Sequence, residues 1–91
     1  MNQYIQVTNG VSSAYNLVLN PYGGNILINT ITDVPSAKVN ISSTTQGFLP
    51  PRMTNAQRIA ISSPAVGLVV YCTDASEGLY VNKSTGWTLL L

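Results

Sequence analysis

Three stretches, Gly67-Leu-Val-Val-Tyr-Cys-Thr73, Gly78-Leu-Tyr-Val81 and Trp87-Thr-Leu-Leu-Leu91, decide the fold of this chain. Polar turn residues separate them, so the pattern predicts strands over 68–73, 79–81 and 87–91 in an antiparallel meander. Such a small sheet is marginal in water unless something covers its apolar face. Exposed leucines would each forgo about 1.5–3 kcal/mol of burial, so we expect the Leu89–Leu91 segment to be held in a core. The expected cover is another copy of the chain.

The composition is poor in charge and rich in uncharged polar side chains. Charged residues make up 8% of the 91 residues, whereas typical soluble domains have about 25%. Asn, Ser, Thr and Gln supply the polarity, and these residues favour turns, caps and strand faces over helix interiors. This composition suits tightly packed interfaces between chains, where an unpaired charge would be costly.

Several functional classes do not fit the composition. The net charge is +1 and the four basic residues are scattered, whereas a nucleic-acid-binding surface usually carries a basic stripe or cluster. No apolar run is long enough to predict a membrane span. The first residues lack the basic and apolar regions of a signal peptide, so we expect no export by that route. The chain is expected to be part of an assembly released by lysis, or an excised fragment.

Cys72 is the only cysteine, so the sequence predicts no internal disulfide. Its neighbours Val70 and Tyr71 place it in a buried strand, where a free cysteine acts as a small hydrophobe. A reactive or metal-binding role is the less favoured alternative, because the chain has no histidine to activate the thiol or to complete a metal site.

The first half of the chain contains short apolar segments between turns. Residues 4–8 alternate, and the segment Asn16-Leu-Val-Leu-Asn20 recurs as Asn25-Ile-Leu-Ile-Asn29. Residues 38–42 alternate again. We predict short strands here, apolar on both faces, which this chain cannot bury alone. Repeated strands of this kind are typical of solenoids and intertwined fibres, so residues 1–46 are expected to form a β-rich fibre shaft.

The segment Phe48-Leu-Pro-Pro-Arg-Met53 is predicted to be a rigid extended arm. Its two prolines fix φ, and they keep Leu49 out of the helical region. We expect the arm to lay Phe48, Leu49 and Met53 on a partner surface.

A single short helix is predicted to begin after Thr54. Thr54 and Gln57 match the capping-box pattern, in which each side chain bonds the other residue's backbone. Ala56, Ile59 and Ala60 would give the helix a small apolar face, and Pro64 lies beyond its end. About two turns are stable only when packed against other elements.

Two resemblances to phage proteins follow from these segments. Gly47-Phe-Leu-Pro-Pro-Arg-Met-Thr-Asn-Ala-Gln-Arg58, with the later Ser63–Tyr71 and Trp87, resembles a segment that recurs near the ends of phage tail and head fibres and of related bacterial surface proteins. Tyr80-Val-x-Lys-x-x-x-Trp-x-Leu-Leu90 is similar to the C-terminal trimerisation domain of phage fibritin, although Gly86 replaces a Glu there. The resemblance implies a parallel homotrimer, whereas the residues alone imply only an oligomer.

The residues offer little for catalysis. Without histidine, no Ser-His or Cys-His pair can form. The acidic residues are Asp33, Asp74 and Glu77, and glycoside cleavage needs two carboxyl groups about 5–9.5 Å apart across a cleft. A saccharide groove is not expected in so short a chain, so the favoured interpretation is solvated turn residues or partners of Arg52 and Arg58 across an interface. We predict neither an enzyme nor a cofactor.

The residue patterns and the two resemblances together predict a mainly β homotrimeric fibre: an intertwined shaft over 1–46 and a head over 47–91 with one short helix and a three-stranded meander. The predicted function is a structural fibre of the virion, assembled in the host cytoplasm, whose head attaches to the host. The alternative is a trimerisation or capping module of a phage fibre or bacterial adhesin without receptor contact. Expected partners are its own copies, other virion proteins and, as a candidate, a host-surface glycan or protein, with neither nucleic acid nor membrane insertion.

Two sets of residues carry this prediction. The trimer core or interface set is Phe48, Leu49, Met53, Val70, Leu79, Tyr80, Trp87 and Leu89. The set expected to form salt bridges between chains is Arg52, Arg58, Asp74 and Glu77.

Overall fold

The computed structural model describes residues 15–74 and 76–91. Within them the fold is mainly β with one short helix, which confirms the predicted fold class. The chain divides into two compact units, Met1–Gln46 and Gly47–Leu91. The strand predicted over residues 4–8 lies outside the described residues, and the intertwining of three chains stays a prediction.

The first unit contains a pair of three-residue parallel strands. Strand β1 (Ile26–Ile28) pairs with β2 (Val39–Ile41), and Ile26 lies opposite Val39. The pairing is extended at both ends, since the Ile26 N–H donates to the Lys38 carbonyl at 2.8 Å and the Ser42 N–H to the Ile28 carbonyl at 3.0 Å. Parallel strands need a crossover rather than a tight turn, and the segment between β1 and β2 supplies it.

The polar residues that flank β1 hold together the two strands and the segment between them. The Asn25 amide donates to the Asp33 carboxylate at 2.8 Å, and the Asn29 amide donates to the Ser42 carbonyl at 3.0 Å. Asn29 has φ 61°, a left-handed conformation that asparagine tolerates better than most residues. Asn25 and Asn29, the asparagines of the second copy of the repeat, therefore make hydrogen bonds at the two ends of β1.

The strand predicted over residues 16–20 is wrong: this segment is exposed and forms no strand. Alternating Leu and Val side chains indicate an apolar face, but a strand also needs a partner for its backbone groups, and the described residues of this unit provide none. The two strands that do form stay largely uncovered, with Ile28, Val39 and Ile41 about half exposed.

The second unit is built on a four-stranded sheet. Its elements are β3 (Arg52–Met53), α1 (Asn55–Ile59), β4 (Val69–Cys72), β5 (Gly78–Lys83) and β6 (Gly86–Leu89). The strand order is β3-β4-β5-β6, with β4, β5 and β6 antiparallel, which confirms the predicted meander. The arm adds an unpredicted parallel strand, since β3 pairs with β4 and places Arg52 opposite Tyr71.

Helix α1 begins as predicted and packs differently than predicted. The Thr54 hydroxyl accepts from the Gln57 N–H at 3.2 Å, and the Gln57 side chain accepts from the Thr54 N–H at 2.9 Å, which confirms the capping box. The predicted apolar face is wrong, because Ile59 is 68% exposed and Arg58 is the buried residue of the helix.

The core of the second unit lies between the helix and the sheet. Its buried apolar residues are Val70, Cys72 and Tyr80, and Met53, Ile61 and Trp87 pack against them. Cys72 is fully buried, as predicted for a cysteine acting as a small hydrophobe. This is a small core, and it covers one face of the sheet.

Candidate functional site

Helix α1 packs on one face of the four-stranded sheet and not on the other. Side chains alternate along a strand, and residues paired across strands share a face. The helix face therefore carries Val70, Cys72, Tyr80 and Asn82, because Val70 pairs with Tyr80. The open face carries Val69, Tyr71, Leu79 and Val81, because Val69 pairs with Val81 and Tyr71 with Leu79. Helix α1 lies on the helix face, so it does not cover the open face.

A groove of about 630 Å³ runs between the arm and the open face. It is lined by Phe48, Leu49, Pro50, Arg52, Tyr71, Thr73, Glu77, Leu79 and Leu91. Phe48 is 73% exposed and Leu49 is 67% exposed. Two adjoining prolines fix the backbone of the arm, so it stands at the edge of the sheet and does not fold down to fill the groove.

Leu91 reaches the groove through backbone hydrogen bonds to β5. The Leu79 N–H donates to the Leu91 carbonyl at 3.0 Å, and the Leu90 N–H donates to the Leu79 carbonyl at 2.7 Å. Leu90 and Leu91 thus both lie opposite Leu79, which is the arrangement of a β-bulge. The prediction that this segment lies in a core is wrong for the single chain: backbone hydrogen bonds hold it on β5, while the Leu91 side chain is 88% exposed.

Gly78 makes this close approach feasible. It is buried at the start of β5 with φ 152°, and a Cβ built there would overlap the Leu91 carbonyl oxygen and lie 2.7 Å from Leu89 Cδ1. Only glycine fits a backbone of this conformation with another strand so near.

Two charged side chains stand in the groove. The Tyr71 hydroxyl donates to Glu77 Oε2 at 2.7 Å, which fixes that carboxylate against the open face. This hydrogen bond, and to a lesser extent burial and the carboxylate charge, raise the pKa of Tyr71 above its ordinary value of 10.0. Arg52 is exposed at the neighbouring position of β3.

Arg58 lies inside its own chain. Its guanidinium carbon is 4.2 Å from the centre of the Tyr80 ring and 5.4 Å from that of Trp87, and Nη2 donates to Asn55 Oδ1 at 3.1 Å. Its Nε has no hydrogen-bond partner in the described part of the chain. Stacking on aromatic faces stabilises a weakly hydrated guanidinium, so Arg58 joins the helix to the sheet.

The structure divides the predicted core and interface set in two. Val70 and Tyr80 are buried in the core of the single chain, and Met53 and Trp87 pack on them. The others lie outside this core: Phe48, Leu49 and Leu89 are exposed, and Leu79 is partly exposed on the open face. The accessible members are the ones still available to a second chain, and their place in a trimer stays a prediction.

The residues predicted to form salt bridges between chains are also dispersed. Asp74 Oδ1 accepts from the Asn55 N–H at 2.8 Å, which fixes the start of α1. Glu77 and Arg52 line the groove, whereas Arg58 is in the core. The charge pairing between chains stays a prediction.

Sequence reasoning missed the aromatic stacking of Arg58 and the buried Asn82. The Asn82 side chain donates to the carbonyls of Pro64 and Ala65 at 3.0 and 3.1 Å, which ties the loop after the helix to β5. The alternation of β5 could have placed Asn82 on the same face as Tyr80. No local pattern marks its distant partners.

Other kinds of site find little support. The described residues hold no group of three or more His, Cys, Asp or Glu side chains placed for a metal ion. In residues 15–74 and 76–91, no helix has the length and apolar character needed to cross a membrane.

Comparison with known proteins decides the family. A family model described as a phage tail-like trimerisation region matches residues 27–91. The chain belongs to this family. No curated protein and no solved structure is significantly similar to it. Membership of the trimerisation family indicates a virion component that associates with its own copies as a homotrimer. The matched residues include β1 from its second residue onward, β2 and the whole four-stranded sheet.

Proposed function

We propose that the chain is a structural, non-catalytic part of a phage fibre, and that its residues 47–91 form the head of a homotrimer. The observation that carries this proposal is the uncovered apolar surface of a unit in a trimerisation family. In that unit the buried hydrophobic residues are few, Val70, Cys72 and Tyr80, while the exposed large ones are Phe48, Leu49, Ile59, Val66, Val69, Leu89, Leu90 and Leu91.

The size of the unit makes this surface costly. Small units bury a small share of their surface, and contiguous exposed apolar patches mark association sites. Burying one leucine fully contributes about 1.5–3 kcal/mol. A second copy packed on the open face would bury leucines that are exposed in the single chain, and each would contribute this burial energy to the trimer. Around a threefold axis the contact is heterologous, so each copy gives one surface and receives another, and the ring closes.

The mass of the purified chain in solution tests this proposal. Light scattering on a size-exclusion column should give three times the 9.7 kDa mass of one chain. A paired variant sharpens the measurement: Leu49→Ser removes an apolar side chain from the groove and should shift the mass toward one chain, whereas Ser62→Ala, in the exposed loop after the helix, should not. A compact, cooperatively melting species of single-chain mass at micromolar concentration would contradict the proposal.

We further propose that the trimer presents its head for attachment to the host cell. The support is general: three equal surfaces carried by one trimer turn weak contacts into useful avidity. Binding of the purified trimer to host cells or to host-derived glycans tests it. A well-folded trimer that binds no host surface would favour the alternative, a trimerisation module without receptor contact.

Catalysis can be tested on the same material. Glu77 is the carboxylate of the groove, and it already accepts a hydrogen bond from Tyr71. We expect the trimer to release no oligosaccharide from host capsule. Release by the wild type that stops in Glu77→Gln would overturn the non-catalytic assignment.

A further inference from the structure

We propose that the groove is an interface with a second copy of the chain, in which Arg52 of one copy forms an ion pair with Glu77 of the next. This inference rests on the proposed trimer and names the polar contact that sets its register. The groove is mostly apolar, with Phe48, Leu49 and Leu79 among its lining residues, and its two charged residues have opposite signs.

The carboxylate is already placed for a partner. The Tyr71 hydroxyl occupies Oε2 of Glu77, and Oε1 accepts no hydrogen bond from the described residues. A tyrosine hydroxyl is protonated at neutral pH, and the hydrogen bond to Glu77 raises the pKa of Tyr71 further above its ordinary value of 10.0, so Tyr71 adds no second negative charge beside Glu77. The fixed carboxylate therefore presents a free oxygen to the groove.

The Arg52 side chain lacks a partner among the described residues of its own chain. In residues 15–74 and 76–91, the Arg52 side chain makes no hydrogen bond or ion pair, although it lines the same groove as Glu77. Its place on β3 is fixed by the parallel pairing with Tyr71. A guanidinium has a planar set of donors that matches a carboxylate, and the pair is directional as well as attractive.

The second copy is the occupant that this chemistry favours. A layer of apolar side chains on the groove would remove Arg52 and Glu77 from water, and an unpaired charge there would oppose binding. Another copy of the chain brings both the apolar cover and the opposite charge. The groove is thus self-complementary in charge, and its family is a trimerisation family.

Charge reversal tests the pair. Arg52→Glu and Glu77→Arg should each lower trimer affinity, by about tenfold per contact for a partly screened pair. The double variant Arg52→Glu with Glu77→Arg should regain most of it. Lys83→Glu is the matched control for Arg52→Glu, because Lys83 is an exposed residue outside the groove and the charge change is the same. Trimer dissociation is followed by light scattering across a dilution series, with circular dichroism to check folding.

Mixing the two single variants separates a pair between chains from one within a chain. In a mixed ring two contacts join opposite charges and one joins like charges, so the mixture should form more trimer than either variant alone. A pair within one chain would gain nothing from mixing, and that result would overturn the proposal.

Single variants that assemble like Lys83→Glu would overturn the ion pair and leave the trimer standing. A double variant that folds but stays dissociated would overturn it as well, since restored opposite charges should restore contact. A wild type of single-chain mass would overturn both this pair and the proposed trimer.

Discussion

Replacing Gly78 by alanine tests how the Leu89–Leu91 segment is held on the sheet. The new Cβ would overlap the Leu91 carbonyl oxygen and lie 2.7 Å from Leu89 Cδ1. Since the nearest atom belongs to the backbone, the clash cannot be relieved by turning a side chain. We expect the segment to leave β5.

The expected loss of stability has two parts. A residue other than glycine at φ 152° carries backbone strain of about 1–3 kcal/mol. Separation of the strands also breaks the hydrogen bonds of Leu79 with Leu90 and Leu91, each of which contributes about 0.5–1.5 kcal/mol. The total is roughly 2–6 kcal/mol. This is a large part of the 5–15 kcal/mol that stabilises a typical small domain.

Gly86→Ala is the matched control for this experiment. Gly86 also has a positive φ, 117°, but nothing lies within 4 Å of a Cβ built there, so this variant carries the strain without the clash. Unfolding in urea should show Gly78→Ala less stable than Gly86→Ala by about 1–3 kcal/mol, the two lost hydrogen bonds. Because Leu91 lines the groove, only Gly78→Ala should also weaken trimers in light scattering. Equal stability of the two variants would refute the proposed role of Gly78.

Three further substitutions test the core and the groove. Arg58→Lys should destabilise the chain by about 1–2 kcal/mol in urea unfolding, because an ammonium cannot stack flat on Tyr80 and Trp87; unchanged stability would contradict the stacking. Trp87→Ala should lower the free energy of unfolding by about 3 kcal/mol, at the lower end of the range for core tryptophans because Trp87 is half-buried, and it should dissociate the trimer. A sharp trimer peak with an unchanged melting temperature would argue against the place of Trp87 in the core. The pKa of Tyr71 is raised in the folded state, so its hydrogen bond stabilises the fold fully below pH 10.0, and this stabilisation is lost as the pH rises through the higher folded pKa. The melting temperature of the wild type should therefore fall in an alkaline step that Tyr71→Phe lacks. Identical profiles of melting temperature against pH for the two proteins would contradict the hydrogen bond to Glu77.

Local chemistry explains what the sequence could predict. The capping box needs only Thr54 and Gln57, which are three residues apart, so a local sequence pattern is enough to predict the start of α1. Turn residues between apolar runs likewise predicted the antiparallel order of β4, β5 and β6. In each case the interacting groups are neighbours in sequence or are joined by a short turn.

Distant pairing explains what it could not predict. Strand β3 meets β4 across the intervening helix, so no short pattern marks Arg52 as a neighbour of Tyr71. The groove exists only because of this pairing, which places the arm beside the open face. Sequence reasoning selected Phe48 and Leu49 as contact residues from their apolarity, but it had no means to place them beside Glu77.

Arg58 shows how an amphipathic pattern can mislead in a short helix. Ala56, Ile59 and Ala60 suggested the buried face by apolarity alone. Two aromatic rings on the sheet instead offer more favourable contact to a guanidinium than to a small alanine, and the long arginine stem adds buried area. Tertiary contacts of this kind override a pattern of so few residues.

The few charged residues of this chain mostly have definite structural partners. Arg58 stacks in the core and Asp74 accepts from the start of α1. Asp33 accepts from Asn25, Glu77 accepts from Tyr71, and the Lys38 ammonium donates to the Gly24 carbonyl at 2.8 Å. In a chain that is 8% charged, charge is thus placed where it satisfies a particular group.

Arg52 and Lys83 lack such partners in residues 15–74 and 76–91, and their surroundings differ. Lys83 is exposed beside the turn between β5 and β6, where water solvates an ammonium at no cost. Arg52 lines a mostly apolar groove together with Leu49 and Leu79. Water solvates Arg52 while the groove is open, but a trimer that buries the groove must replace that water with an acceptor. Glu77 is the acidic residue of that groove, and its Oε1 accepts no hydrogen bond from the described residues.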